Sequence, residues 1–188
     1  MSLTIDAPEG VEIAAFFDDL VPPAVRQLVD TRPLRGMHDV TFRVRFSVEG
    51  VGDWLVSVVN ATRVAVKRDR KTPAHLTVRF DEASFRRSQT GEARRINVLE
   101  MLYGDRKRFD RLLGVKGMLQ VELDDHGEFR RLALIFNETQ DPAAILRVGY
   151  DDFCDILDKI AYPPMLLLRG RMRIDGNVAL LLRVQGLL

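Results

Sequence analysis

The sequence is poor in the residues that usually supply covalent cross-links, metal ligands or nucleophiles. Cys154 is the one cysteine, so the chain cannot form an internal disulfide, which suits a reducing compartment. The three histidines, His38, His75 and His126, are scattered and form no zinc-binding spacing. We interpret the histidines as surface residues and Cys154 as a small core residue.

Glycine-rich and catalytic motifs are missing as well. The sequence contains no nucleophile elbow, no phosphate-binding loop and no dinucleotide fingerprint. Its acidic pairs, such as Asp18-Asp19 and Asp124-Asp125, are sequence neighbours, whose side chains diverge on a helix or strand and are unsuited to share a proton. We therefore expect a protein that is not an enzyme and needs no cofactor or metal.

Long hydrophobic runs are absent. The uncharged apolar stretch Ala161 to Leu168 has eight residues and two prolines, whereas a membrane span needs about 20. The first residues, Met1 to Asp6, lack the basic and apolar regions of a secretory signal. We expect a cytoplasmic domain without a membrane span.

The charge is nearly balanced overall but uneven along the chain. The formal net charge is +1, whereas Arg63 to Arg111 contains 14 basic and seven acidic residues. This basic segment is either a solvated face or a contact for an anionic partner such as a membrane surface. Nucleic acid is disfavoured because Phe80, Phe85 and Phe109 have the spacing of core residues rather than of exposed stacking platforms.

A length of 188 residues with 46% hydrophobic residues suits one domain with a substantial core. Apolar side chains recur at helical spacing near both ends of the chain, and Pro22-Pro23 and Pro163-Pro164 are expected to end helices. Alternation of apolar and polar residues, together with turn signals, predicts seven strands joined mainly as an antiparallel meander. These strands are residues 41–48, 54–59, 63–67, 75–80, 118–123, 129–136 and 170–177.

Two segments of the chain are similar to each other. Leu76 to Phe85 resembles Leu146 to Phe153, and each is followed later by a glycine and a strand pattern. Duplication and chance both remain open on two occurrences.

The C-terminal stretch resembles the end of the SCP2 sterol-carrier family. Tyr150-Asp151-Asp152-Phe153 is similar to an acidic-Phe helix start, Pro163-Pro164 to a following proline, and Leu168 to Asn177 to a glycine-bounded strand before an apolar helix. Upstream, Trp54 opens a second strand and Ala74 to Val78 is similar to an Ala-x-Leu-Thr-Val strand. Residues 91–140 intervene as an apparent insertion within a single domain, 1–188.

The resemblance implies an α+β, SCP2-like fold with a mainly antiparallel twisted sheet of about five to seven strands covered by helices. It also implies a hydrophobic cavity for a sterol, a fatty acid or an acyl-type ligand. Ten apolar residues at core-facing positions are the candidates for its lining: Phe17, Leu20, Trp54, Phe85, Met101, Phe153, Leu157, Leu167, Met172 and Leu181.

The expected partner is thus a lipid or another hydrophobic small molecule. Two alternatives remain open. One is an accessory or interaction module with a homodimer or partner surface and no dedicated lipid. The other is transient contact of the basic segment with an anionic membrane surface.

Overall fold

A computed structural model of the chain describes residues 5, 7, 8, 10–32, 34–89, 105–158 and 160–187, apart from the side chains of residues 88, 89 and 157. Met101, one of the ten candidate lining residues, lies outside these residues. Among the described helices, none is long and apolar enough to cross a membrane.

The chain begins with a nearly continuous helical segment. Helix α1 (Ile13–Ala15) passes through one π-helical turn (Phe16–Leu20) into α2 (Val21–Thr31). Pro22 lies in the first turn of α2, where a backbone N–H has no intrahelical partner and proline is tolerated. Pro22-Pro23 therefore does not end a helix as predicted. The helical segment continues through the two prolines, and only its pitch changes just before them.

Strands and helices then alternate in blocks. Four strands come first: β1 (Thr41–Val48), β2 (Gly52–Val59), β3 (Arg63–Arg68) and β4 (Leu76–Phe80). Helices α3 (Glu82–Gln89) and α4 (Arg106–Leu113) follow. The second block holds β5 (Gly117–Asp125), β6 (Glu128–Phe136) and β7 (Ala143–Gly149), then α5 (Tyr150–Leu157), α6 (Pro163–Leu168), β8 (Met172–Gly176) and α7 (Val178–Gln185).

The strands of the described residues form one sheet in the order β3-β2-β1-β4-β6-β5-β7-β8. Only the β1–β4 and β5–β7 pairs are parallel. The α+β class and the mainly antiparallel sheet are thus confirmed, but the predicted strand number is too low. The strand that the sequence did not predict is β7. Its adjacent residues Ile145 and Leu146 are both apolar, so the sequence does not alternate there. In the structure Leu146 is buried on the core face and Ile145 lies on the other face.

The two similar segments have the same topological place. Strand β4 lies parallel to β1, the first strand of the β1–β2 hairpin, and leads into α3. Strand β7 lies parallel to β5, the first strand of the β5–β6 hairpin, and leads into α5. Residues 117–136, within the segment predicted as an insertion, supply two central strands of the sheet.

The two faces of the sheet differ in character. Phe42, Val44 and Val48 of β1 belong to the hydrophobic core between sheet and helices. Because strand side chains alternate, the intervening Arg43, Arg45 and Ser47 point to the other face, where Ser57 and Thr77 are also buried.

Two helix starts are capped by polar side chains. The Asn177 side chain accepts a hydrogen bond from the Leu180 N–H at 2.9 Å, and Asp81 accepts one from the Ser84 N–H at 2.7 Å. Pro163-Pro164, expected to end a helix, instead opens α6, because its fixed φ suits a first turn.

Candidate functional site

Four of the ten predicted lining residues lie over the first half of the sheet. The ring of Phe17 stacks on Trp54 with centroids 4.5 Å apart and on Phe85 at 5.3 Å. Phe17, Trp54 and Phe85 are almost fully buried, and Leu20 is half-buried beside them in the same helical segment. The indole N–H donates to Asp18 Oδ1 at 2.9 Å. These rings fill the space between α1–α2, β1 and β2 by direct contact.

Five others lie at the opposite end of the sheet. Phe153 and Leu157 belong to α5, which packs on β5 and β7, and Leu181 belongs to α7, which packs on the same two strands. Met172 of β8 is buried opposite Val148 of β7. Leu167 of α6 is partly exposed.

The structure therefore divides the predicted set into two groups. Strands β2 and β7 are separated by five inter-strand spacings, about 24 Å. One lipid-sized cavity beneath the C-terminal elements can include the second group but not the first. The lining residues as a set remain a prediction.

None of the ten contributes to either of two clefts whose lining lies in the described part of the chain. A small one of about 10 Å³ lies between Met37, Phe42 and Phe109, which is room for about one water molecule. A larger one of about 660 Å³ lies on the polar face of the sheet. The first is too small for a lipid, and the second lacks the apolar walls that a lipid needs.

An exposed apolar surface marks the C-terminal elements. Of the large hydrophobic residues exposed in the described part of the chain, most fall between residues 160 and 182. Helix α6 is almost wholly apolar, so burying Leu166 leaves its other side chains in water. We call this set the C-terminal apolar surface, and it comprises Ile160, Tyr162, Met165, Leu167, Leu168, Val178 and Leu182. The sequence signal for it was the uncharged run from Ala161 to Leu168.

Polar contacts fix the start of α5 beside this surface. Buried Asp152 pairs with Arg171 at 2.6 Å, which ties α5 to the chain just before β8. The Arg130 guanidinium lies 4.4 Å from the Tyr150 ring centroid and pairs with Asp125. Burial, together with the neighbouring Cys154 thiol, raises the pKa of Tyr150 to about 12. The phenol therefore stays protonated and neutral at physiological pH.

Cys154 is buried, as predicted for a core residue. Within the described residues, no three His, Cys, Asp or Glu side chains come together as metal ligands would.

His75 departs from its interpretation as a surface residue. Its ring is half-buried, stacks parallel to Phe42 and meets the edge of Phe109 at 5.1 Å. Its Nδ1 accepts the Arg43 backbone N–H at 3.0 Å. Burial first, and the Arg43 charge second, lower the pKa of His75 below its ordinary value of 6.5.

This shift predicts a pH dependence of stability. Since the unfolded chain binds the proton more tightly, the contribution of neutral His75 is complete above pH 6.5 and declines as the pH falls toward the lowered pKa. Replacing His75 with glutamine should flatten this part of the stability profile, measured by urea unfolding across the acidic range. The matched replacement of exposed His126 should leave the profile unchanged, and an unchanged profile in the His75 variant would contradict the assignment.

Comparison with known proteins finds a family match in the second part of the chain. Residues 96–188 match the model of the SCP-2 sterol transfer family. The predicted resemblance is confirmed over this half, and the match supports a lipid-binding or carrier function in general terms. It begins at residue 96 and so runs through most of the predicted insertion. A search among curated proteins gives no significant match.

Three solved structures are similar to the chain at low identity. Sterol carrier protein 2 like 2 from Aedes aegypti is 14% identical, with a TM-score of 0.33 over 44% of this chain and 94% of its own. The apo form of sterol carrier protein 2 from Yarrowia lipolytica is 11% identical, with a TM-score of 0.34 over 42% and 76%. A structure described as UbiJ-SCP2 ubiquinone synthesis protein is 13% identical, with a TM-score of 0.28 over 91% and 90%. Because these TM-scores are low, the resemblance rests on the sequence match over residues 96–188.

Proposed function

We propose that the chain is a non-catalytic lipid-binding or carrier protein that holds a sterol, a fatty acid or an acyl-type ligand in its C-terminal half. The observation that carries this proposal is the family match over residues 96–188. The C-terminal apolar surface, which falls within the matched residues, supports it. We also expect the protein to work in the cytoplasm.

The binding energy would come from covering apolar surface. Removal of apolar area from water contributes about 25 cal/mol per Å², before ordering costs are subtracted. Helices α6 and α7 expose Leu168 and Leu182 to water, and a hydrocarbon ligand would gain by covering such side chains. No bond is made or broken in this mechanism.

We place the ligand beside the second group of predicted residues. Phe153, Leu157, Met172 and Leu181 would contact its apolar body between α5, α7 and the β7–β8 edge, while Leu167 would stand at the entrance. The ion pair between buried Asp152 and exposed Arg171 supports this by linking α5 to the start of β8.

The test compares two leucines of similar exposure. Leu167 is 39% exposed on α6, and Leu113 is 43% exposed at the end of α4. We expect Leu167→Glu to weaken binding of a fluorescent fatty acid about tenfold or more, because a charge would face the hydrocarbon. Leu113→Glu introduces the same charge elsewhere and should bind as the wild type does. Equal affinities of the two variants would contradict the proposed entrance.

The same apolar surface also favours a second candidate, an accessory module that docks a partner or a second copy of itself. Exposed apolar patches are typical of protein interfaces as well as of ligand entrances. Light scattering of delipidated protein separates the two candidates. A monomer that binds fatty acids is expected of the carrier, and a stable dimer indifferent to fatty acids is expected of the accessory module.

A further inference from the structure

The larger cleft, about 660 Å³, lies on the face of the sheet opposite the helices. Its floor is a square of four polar residues on the parallel strands β1 and β4. Arg45 lies beside Thr77, and Ser47 lies beside Arg79. A volume of this size is within the range of small-molecule sites, roughly 300–1,000 Å³. The cleft is therefore large enough for a metabolite.

One wall of the cleft is organised around Arg45. Its side chain is only 8% exposed and pairs with Glu138 at 2.8 Å. It also donates to the backbone carbonyl oxygens of Asp69 and Thr72, and Glu138 accepts the Ala74 N–H at 2.9 Å. Because these acceptors occupy the guanidinium, Arg45 serves to position the loops around the cleft.

Asp69 fixes the loop that closes over Arg45. Its carboxylate pairs with Lys67 at 2.7 Å and accepts the Lys71 and Thr72 N–H groups at 2.9 Å and the Thr72 hydroxyl at 2.7 Å. The Lys67 contact first, and then these hydrogen bonds, hold the pKa of the carboxyl well below its usual range. The loop is thus ordered without a ligand.

Arg79 differs from Arg45 in having no ion-pair partner among the described residues. It is half-buried and lines the cleft next to Ser47, whose hydroxyl likewise has no hydrogen-bond partner in that part of the chain. A half-buried cation without a counterion carries a desolvation cost that an anionic ligand would offset.

The other charges of the cleft leave this donor pair available. Arg70 lies 3.9 Å from Asp53 at the rim. The carboxylate of Glu49 stands on an exposed turn, where water screens it. Arg79 is therefore the cleft's positive group without a carboxylate partner among the described residues, and an entering anion would bind to its guanidinium.

We propose that this cleft binds a small organic anion, with Arg79 and Ser47 holding its carboxylate or phosphate group. A guanidinium presents two parallel N–H donors that match either oxyanion. The Ser47 hydroxyl supplies a third donor one strand away, and the rest of the cleft receives the polar body of the ligand. The site is distinct from the lipid site, because it lies on the other face of the sheet.

The proposal is tested by titrating the full chain with inorganic phosphate and with succinate, followed by amide chemical shifts. We expect saturable shifts centred on Ser47, Thr77 and Arg79, with a Kd on the order of 1 mM for such minimal probes. Stronger shifts with one probe identify the preferred oxyanion. Arg79→Gln should weaken binding about tenfold or more, and Ser47→Ala about threefold.

The matched control is Arg43→Gln. Arg43 is half-buried on the same face of β1 but outside the cleft lining, so its loss removes an equal charge. Affinity within about twofold of the wild type is expected for this variant. The proposal is overturned by any of three results: no saturable shifts with either probe up to about 10 mM, unchanged affinity in Arg79→Gln, or an equal loss in Arg43→Gln. Fatty-acid binding should be unaffected in all three variants, so this test and that of the carrier function fail separately.

Discussion

Replacing Phe17 with alanine is expected to lower the free energy of unfolding by about 3–5 kcal/mol. Phe17 is the centre of the aromatic cluster, in contact with the rings of Phe16, Phe46, Trp54 and Phe85 at centroid distances of 4.5–5.5 Å. Removing its ring takes away these contacts and leaves a cavity that the strands beneath it cannot fill by collapse.

Urea unfolding followed by circular dichroism and by fluorescence of Trp54, the single tryptophan, measures the loss. Phe129→Ala is the control, since that ring is 64% exposed and its removal should change stability by less than about 0.5 kcal/mol. A loss below about 1 kcal/mol in Phe17→Ala would indicate a loosely packed interior at this position. Fatty-acid affinity should stay unchanged, because the ligand is placed at the other end of the sheet.

Replacing Gly117 with alanine is expected to cost about 3–5 kcal/mol or to prevent folding. Gly117 opens the central strand β5 with φ +128°, and an added Cβ would lie 2.2 Å from the Pro142 carbonyl oxygen and 3.0 Å from Leu180 Cδ2. The backbone oxygen cannot move aside without disturbing the neighbouring start of β7. Strain and collision therefore add together.

Gly127→Ala separates these two contributions. Gly127 has φ +91° in the β5–β6 turn, but an added Cβ there meets nothing within 4 Å. This variant should lose only about 1 kcal/mol, from backbone strain alone. Equal losses in the two variants, measured by thermal unfolding, would show that the close approach of Pro142 to Gly117 is wrong.

The sequence predicts local structure well where one periodicity dominates. Strand β1 alternates strictly from Phe42 to Val48, and the structure gives it the predicted bounds. Strand β7 lacks such alternation and was missed. Its place between β5 and β8 depends on pairing with distant residues, which no local pattern encodes.

The lining residues were chosen from apolar stripes, which show that a side chain is buried but not what covers it. Trp54 and Met172 are both buried, yet they lie on β2 and β8, near opposite ends of the sheet. Only the strand order, fixed by non-local pairing, separates them. For the same reason the sequence could not place Met172 opposite Val148 of β7.

The polar cleft could not be predicted from the sequence for a related reason. Arg43 and Arg45 alternate with apolar residues in β1, which is typical of a solvent-facing side of a strand. Arg45 is nevertheless buried, because loop residues from Asp69 to Thr72 and Glu138, distant in sequence, close over it. The sequence feature that indicates an ordered loop over this face is the pair Asp69 and Thr72. Their spacing allows the Asp69 side chain to accept the Thr72 N–H in a local turn.

The most direct measurement is native mass spectrometry of the 188-residue chain as purified, followed by solvent extraction. The carrier account predicts a bound species that extraction releases as a fatty acyl compound or a sterol, and stoichiometric rebinding by the stripped protein. A single mass equal to that of the polypeptide, unchanged after incubation with fatty acids and sterols, would contradict it.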